Sequence, residues 1–286
     1  MDLEQERPRV YLFLLDGLRL DVALEEMTFL QSLVAQGQGR QAIIRGAVPS
    51  LSRPCYATIA TGLWPRQHGI TRNFWTAPLK VQGVFHVIQS WNRLGAASAY
   101  HWWEELHRPA RSFLGRPQGR HAIPLGHYYR EDDYPAEEVF AAARQWVEEE
   151  DPDFLLVHPM NVDDRGHKFG GLSPQYRREA RVLDELLSLW VPDLLRNPMA
   201  TVLVTSDHGM GEDGTHGADE PSLTHVPLWA FGRSVLPGQG GTYLQTSLAP
   251  SLLALLALPA PRHMAAPLFD FLTSLPITVE EASLWN

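Results

Sequence analysis

A single cysteine, Cys55, stands in the whole chain, so no internal disulfide can form, and this fits a reducing compartment. Positive charge is also scarce: 24 Lys and Arg against 33 Asp and Glu leave a formal net charge of −9. Nucleic-acid binders need clustered cations to displace counterions from phosphates, so this balance argues against a nucleic-acid polymer as partner. No apolar run approaches the roughly 20 residues that span a bilayer. The longest, 248–260, is interrupted by Pro250 and Pro259 and reads as a buried helix. Residues 1–8 are polar and acidic, with no basic stretch leading into an apolar segment. The expectation is a cytoplasmic protein that engages no membrane. No internal repeat or low-complexity tract is visible. What is present is 286 residues, 44% of them hydrophobic, enough to bury a substantial core.

Four apolar runs, 10–15, 154–158, 201–205 and 228–231, read as central parallel strands buried on both faces. Helical patterns at 21–36, 54–61, 135–150, 174–195 and 247–256 alternate with them. The alternation predicts an α/β fold: a doubly wound, mostly parallel central sheet with helices on both faces. Residues 74–134 differ in texture, being rich in Trp, His, Arg, Pro and Gly, with a helix expected at 84–94 and a short strand at 96–100. They read as an inserted cap over the mouth of a site, within a single domain covering 1–286.

Polar residues suited to binding cations follow the ends of these runs, where open α/β sheets place their sites. Asp16 closes the first run within Leu-Leu-Asp-Gly. Ser52 opens a helix through Ser52-Arg53-Pro54, proline being well tolerated in a first turn, so that the helix N-terminus faces the hydroxyl and favours a phosphate; capping is the plainer role for such a serine. Asp163 and His167, four residues apart in Asp-Asp-Arg-Gly-His, can reach one ion, with Asp164 as a rival. Asp207 and His208 follow the third run, and Gly209 permits a sharp exit. His216 lies in Gly-Thr-His-Gly; His225, in an apolar segment, competes with it and is more often a satisfied core histidine there. These residues supply oxygen and nitrogen ligands for two divalent cations, with a hydroxyl able to attack phosphorus. The mix of imidazole and carboxylate suggests Zn²⁺ first and Mn²⁺ second.

The stretch Pro49-Ser-Leu-Ser-Arg-Pro-Cys-Tyr-Ala-Thr-Ile-Ala-Thr-Gly-Leu-Trp-Pro-Arg-Gln-His-Gly-Ile70 resembles the nucleophile motif of the nucleotide pyrophosphatase/phosphodiesterase branch of the alkaline phosphatase superfamily. That motif runs Pro-Thr-x-Thr-Phe-Pro-Asn-x-Tyr, then Thr-Gly-Leu-x-Pro-x-x-His-Gly-Ile. The resemblance puts Ser52 in place of the nucleophilic threonine and Asn73 at the phosphate-binding asparagine. The stretch from Ser206-Asp-His-Gly-Met210 through Thr215-His-Gly217 to Pro227-Leu228 also resembles membrane-bound ethanolamine phosphate transferases, and it implies His216, not His225, as the last ligand. Arg53 stands where the branch carries a phenylalanine that lines a nucleotide pocket. Tyr56 stands where sulfatase motifs require arginine, which argues against sulfatase chemistry.

The implied activity is hydrolysis of a small-molecule phosphoester, of phosphodiesterase type, through a phosphoseryl intermediate. Asp16, Ser52, Asp207 and His208 are expected at one ion and Asp163, His167 and His216 at the other, with Asn73 and the Arg53 backbone N–H on the phosphate oxygens. Arg53 and Lys168 are candidate contacts for a monoester's extra charge, and Trp75, Trp102 and Trp103 for a flat leaving group, against the plainer reading of those tryptophans as cap packing. A phosphomonoesterase, a transferase or mutase on the same fold, and a protein with purely structural metals are the alternatives.

Overall fold

The computed structural model describes residues 7–74, 77–109, 119–266 and 269–273, so Trp75 lies outside the described residues. Its centre is an eight-stranded sheet. The strands are β1 (Arg9–Leu14), β2 (Gly39–Arg45), β3 (Gly95–Tyr100), β4 (Leu125–Tyr129), β5 (Phe154–His158), β6 (Ala200–Thr205), β7 (His225–Gly232) and β8 (Gly238–Leu244). They lie in the order β4-β3-β5-β1-β6-β7-β2-β8. β1 sits in the middle, pairing parallel to β5 through Val10↔Phe154 and to β6 through Val10↔Thr201.

Alternation along β1 explains why both faces are covered. Val10, Leu12 and Leu14 pack with the helices Ser52–Thr61, Val84–Ser90 and Leu248–Leu255, while Tyr11 and Phe13 pack with Leu20–Glu26, Thr28–Ala35, Ala136–Glu150 and Pro174–Leu194. Among the described residues no helix is long and apolar enough to cross a membrane.

Three expectations are corrected. The run 228–231 belongs to β7, which pairs antiparallel with both β6 and β2, whereas the other strands share one direction. The connection between β6 and β7 carries only the short helix Pro221–Thr224, without the longer helix that usually packs on the sheet in a parallel crossover. The helix expected at 21–36 is two helices that break at Met27. Buried Asp184, from the helix Pro174–Leu194, accepts the N–H groups of Phe29 (2.7 Å) and Leu30 (3.3 Å) and so starts the second helix afresh. Finally, the stretch 74–134 also builds the sheet itself, since β3 pairs with β5 and carries β4 at its outer edge.

Candidate active site

The candidate residues gather at one end of the sheet because each follows the end of a strand or opens a helix there. Beyond β1, Leu15 N–H still bonds to Thr205 O, and the chain then turns through Asp16 and Gly17. Gly17 has φ +68°, and a Cβ on it would lie 2.7 Å from Asp163 Oδ1, so glycine lets the two segments touch. β5 runs into the helix Asn161–Phe169, which sets Asp163 and His167 one turn apart on one face. After β6 come Asp207 and His208. Gly209 is required there, since a Cβ would fall 2.0 Å from Ser222 O. The loop carrying His216 is tied to the segment before Ser52: Ser50 Oγ donates to Ala218 O (2.8 Å) and accepts from Gly217 N–H (3.0 Å).

All seven expected ligand residues join one cluster. Ser52 Oγ lies 3.1 Å from His208 Nε2, which is 3.5 Å from Asp16 Oδ1 and 3.3 Å from Asp207 Oδ2. His167 Nε2 is 3.3 Å from Asp163 Oδ2 and 3.1 Å from His216 Nε2, and the last is 3.7 Å from Asp163 Oδ1. The His208 and His216 rings stack at 3.9 Å and join the two halves. Ser52 is the first residue of its helix, whose N-cap is Leu51, and its hydroxyl faces the cluster instead of capping. His225 opens β7 opposite Arg45, and Asp164 pairs with Lys168 and Arg165.

Hydrogen bonding orients the three histidine rings. Each Nδ1 lies 2.8 Å from a backbone carbonyl: His167 from Gly214 O, His208 from Gly209 O and His216 from Ser50 O. A carbonyl only accepts, so each Nδ1 carries a proton; His208 and His216, kept neutral by burial, therefore present a bare lone pair at Nε2, while His167 offers its Nε2 lone pair once a cation displaces the proton that Asp163 favours. Three buried carboxylate oxygens, Asp16 Oδ1, Asp163 Oδ1 and Asp207 Oδ2, have no hydrogen-bond partner. Converging lone pairs on unpartnered buried acceptors repel, and a cation bound among them would relieve that repulsion. The donor set therefore fits divalent cations. Two groups have mutual distances short enough to share an ion: Asp163, His167 and His216, and Asp16, Asp163 and His208.

Burial and crowding set the electrostatics. Burial, then Asp16 and Asp163, push the Asp207 carboxyl well above its usual range; burial and Asp16 likewise raise Asp163. For Asp16 burial is outweighed by the hydrogen bond from His158 and by His208, and its carboxyl is held low. Burial lowers His208, and lowers His216 to about 4, which keeps both imidazoles neutral and able to bind a cation. The Asp163 carboxylate raises His167 to about 9.

The family described as Type I phosphodiesterase / nucleotide pyrophosphatase matches residues 10–218. The chain belongs to this family, within the alkaline phosphatase superfamily. Among curated proteins it is 24% identical to GPI ethanolamine phosphate transferase 1 of Emericella nidulans over 82% of this chain and 28% of that protein. With human ectonucleotide pyrophosphatase/phosphodiesterase family member 7 it is 24% identical, over 65% of this chain and 44% of the relative. The chain thus spans only about a quarter of the length of the transferases it matches. Murine ectonucleotide pyrophosphatase / phosphodiesterase 5 shares the fold at a TM-score of 0.73 and 15% identity, covering 93% of this chain and 100% of that one; a second structure of it is an inactive variant in complex with AMP.

In this phosphodiesterase-family chain the residues flanking Ser52 depart from expectation. Arg53, expected to meet substrate charge, is 2% exposed; its guanidinium lies 2.8 Å from Glu105 and 4.4 Å over the Trp102 ring. The Arg53 backbone N–H, expected on a phosphate oxygen, donates to Asn73 Oδ1 at 3.1 Å, leaving the Asn73 amide N–H groups as the donors on offer. Lys168 is half-exposed and pairs with Asp164 at 2.8 Å. Trp103 is buried against Tyr56 and His107, so the packing reading holds for it, and Trp102 has one face taken by Arg53. Two contributors went unnoticed in the sequence. His158 Nε2 sits 3.0 Å from Asp16 Oδ2, and Tyr56 OH bonds to the same oxygen. The available signal was a histidine closing the otherwise apolar run Phe-Leu-Leu-Val-His.

Proposed function

We propose that the chain is a two-cation phosphoester-cleaving enzyme of phosphodiesterase type that acts through a phosphoseryl intermediate on Ser52. One observation carries the reading: three imidazole Nε2 atoms and three unpartnered buried carboxylate oxygens converge beside a serine hydroxyl at a helix N-terminus. Asp16, Ser52, Asp207 and His208 would hold one cation and Asp163, His167 and His216 the second, with zinc the first choice and manganese the second. Such a pair supplies Lewis-acid stabilisation of the attacking and leaving oxygens of a phosphoryl displacement.

The chain's own groups do the remaining work. Ser52 Oγ forms a bond to phosphorus as the ester P–O bond breaks; its proton is released to solvent and the departing oxygen takes one up. Water then cleaves the Oγ–P bond and restores the hydroxyl. The Asn73 amide would donate to a non-bridging oxygen, worth about 3 kcal/mol in the transition state by analogy with oxyanion holes. The helix Ser52–Thr61 directs the positive end of its dipole at the same group. Because Glu105 already balances Arg53 and Asp164 already pairs with Lys168, a small-molecule diester, with less charge to neutralise, fits better than a monoester.

A second reading is favoured by the curated relatives, which include ethanolamine phosphate transferases over about four-fifths of this chain: the phosphoseryl group passes to an alcohol instead of water. The deciding experiment incubates cation-loaded protein with bis(p-nitrophenyl) phosphate and p-nitrophenyl phosphate, with and without an alcohol acceptor, and identifies the products. Ser52→Ala should abolish turnover and phosphoserine labelling while cation content stays near wild type. More than a few per cent residual activity in that variant refutes Ser52 as nucleophile.

A further inference from the structure

The three cluster carboxylates are held in different ways. Asp207 accepts the Gly17 N–H at Oδ1 (3.2 Å), and Asp163 Oδ2 faces His167, itself an expected ligand. Asp16 alone receives two side-chain donors from outside the ligand set, and both fall on Oδ2. One is Tyr56 OH; the other is His158 Nε2, at 3.0 Å. His158 Nδ1 accepts the Tyr100 N–H at 3.4 Å, so the proton resides on Nε2 and points at Asp16. The opposite oxygen, Asp16 Oδ1, has no hydrogen-bond partner and faces His208 Nε2 at 3.5 Å.

The donors are themselves immobile. Tyr56, His158 and Asp16 are each fully buried. The Tyr56 ring stacks on Trp103 at 5.2 Å and meets the His158 ring edge-on at 4.8 Å. Tyr129 OH donates to His158 O at 2.5 Å. Three strands and two helices thus hold the two hydrogens in place before any ligand arrives. A carboxylate with two hydrogens fixed on one oxygen cannot rotate, and only its other oxygen remains to coordinate.

We propose that His158 and Tyr56 are positioning residues that grip Asp16 by Oδ2 alone, so that Oδ1 is delivered to the cation shared with Asp207 and His208. This rests on the two-cation reading above. Outer-shell donors of this kind change cation affinity by roughly 10–100-fold when removed. The effect should fall chiefly on one of the two cations, because among the described residues neither side chain has a hydrogen bond or ring contact to Asp163, His167 or His216. A merely structural role would instead lower the melting temperature without separating the two affinities.

The test uses the full chain stripped of cations and titrated calorimetrically with Zn²⁺, followed by visible absorption of the Co²⁺-loaded protein. Tyr56→Phe keeps the ring packing and deletes one donor. His158→Leu deletes the other, and His158→Gln restores an N–H near the position of Nε2. In Tyr56→Phe and His158→Leu one affinity should fall roughly 10–100-fold, with the second unchanged within about twofold, and His158→Gln should recover most of the loss. The Co²⁺ spectrum should lose intensity from one site only. If Tyr56→Phe weakens both sites equally, or neither, the proposal is overturned while the two-cation reading survives. A wild type that takes up fewer than two ions overturns that reading and the proposal together.

Discussion

Replacing Asp207 by asparagine should shift stability in opposite directions depending on whether cations are present. In the stripped protein the carboxylate is fully buried, Oδ2 has no partner, and Asp16 and Asp163 crowd it, so its carboxyl is pushed well up. The amide is nearly isosteric. Its oxygen can keep the Gly17 N–H bond, and its NH₂ would lie where Oδ2 now stands, 3.3 Å from the bare Nε2 of His208. Relieving one unsatisfied buried group should stabilise the stripped variant by about 1–3 kcal/mol. The cation-loaded variant should move the other way: a 100-fold loss of affinity at a free concentration 1,000 times the wild-type Kd removes about 2.7 kcal/mol of linkage stabilisation. At about 2–4 °C per kcal/mol for a domain of this size, the two melting curves should cross by several degrees on each side. Differential scanning calorimetry with and without Zn²⁺ reads both.

The pH dependence of that difference has a definite sign. A carboxylate whose folded pKa is raised contributes stability that is present below its unfolded value of 3.8 and is lost as pH rises through the folded value. The advantage of the stripped Asp207→Asn protein should therefore be small near pH 3.8 and grow as pH rises. A stripped variant that melts at or below the wild type at neutral pH would refute the claim that this carboxylate is strained without a cation.

Three further substitutions test the frame around the site. Burial lowers His107 to about 3 from 6.5, so the unfolded chain binds the proton first and stability falls as pH drops through that window. The loss is on the order of 5 kcal/mol at about 1.4 kcal/mol per unit, and His107→Leu should flatten the acid limb of melting temperature against pH. Gly209→Ala would push a methyl into Ser222 O and should cost about 1–3 kcal/mol together with much of the cation uptake, measured by calorimetry and metal analysis. Glu105→Ala leaves the Arg53 guanidinium without its carboxylate; urea unfolding should show a loss of about 3 kcal/mol, the low end for breaking a buried pair, because Glu105 is 18% exposed.

Much of the fold was legible because β1, β5 and β6 are uniformly buried runs, and such runs announce themselves. Strand direction was not, since Val-Pro-Leu-Trp-Ala-Phe is equally apolar read either way. β2 and β8 escaped notice because Gly39–Arg45 is half-exposed and Gly238–Leu244 is a glycine-rich edge, so neither carries an apolar run. Most of the residues proposed as ligands were legible because they follow strand ends or, for Ser52, a proline-marked helix start; His216, in mid-loop, is distinguished from His225 only through the family resemblance. His158 was not legible, because its contact with Asp16 joins residues far apart in sequence. The partner of Arg53 was hidden in the same way, since Glu105 lies on a different helix, in a stretch with weak periodicity.

The reversed strand is what allows one loop to furnish three of the donors. β6 leaves the sheet at Thr205 and β7 re-enters it at His225 from the same end, so residues 206–224 never leave the ligand-bearing edge. A parallel β7 would require the chain to cross to the opposite edge, consuming a dozen or more residues, and the segment bearing His216 would be drawn away from Asp163. With the return made locally, the loop can be fastened to its neighbours. Gln245 Nε2 donates to Asp207 O at 2.6 Å while its Oε1 accepts from Ala47 N–H at 3.0 Å, and Gly46 N–H bonds to Thr224 O at 2.6 Å. These bonds bind the loop to the segment that leads into Ser52. The position of the serine hydroxyl relative to Asp207, His208 and His216 is therefore held by the Gln245 side chain and by backbone bonds, none of which engages the side-chain atoms proposed to bind a cation.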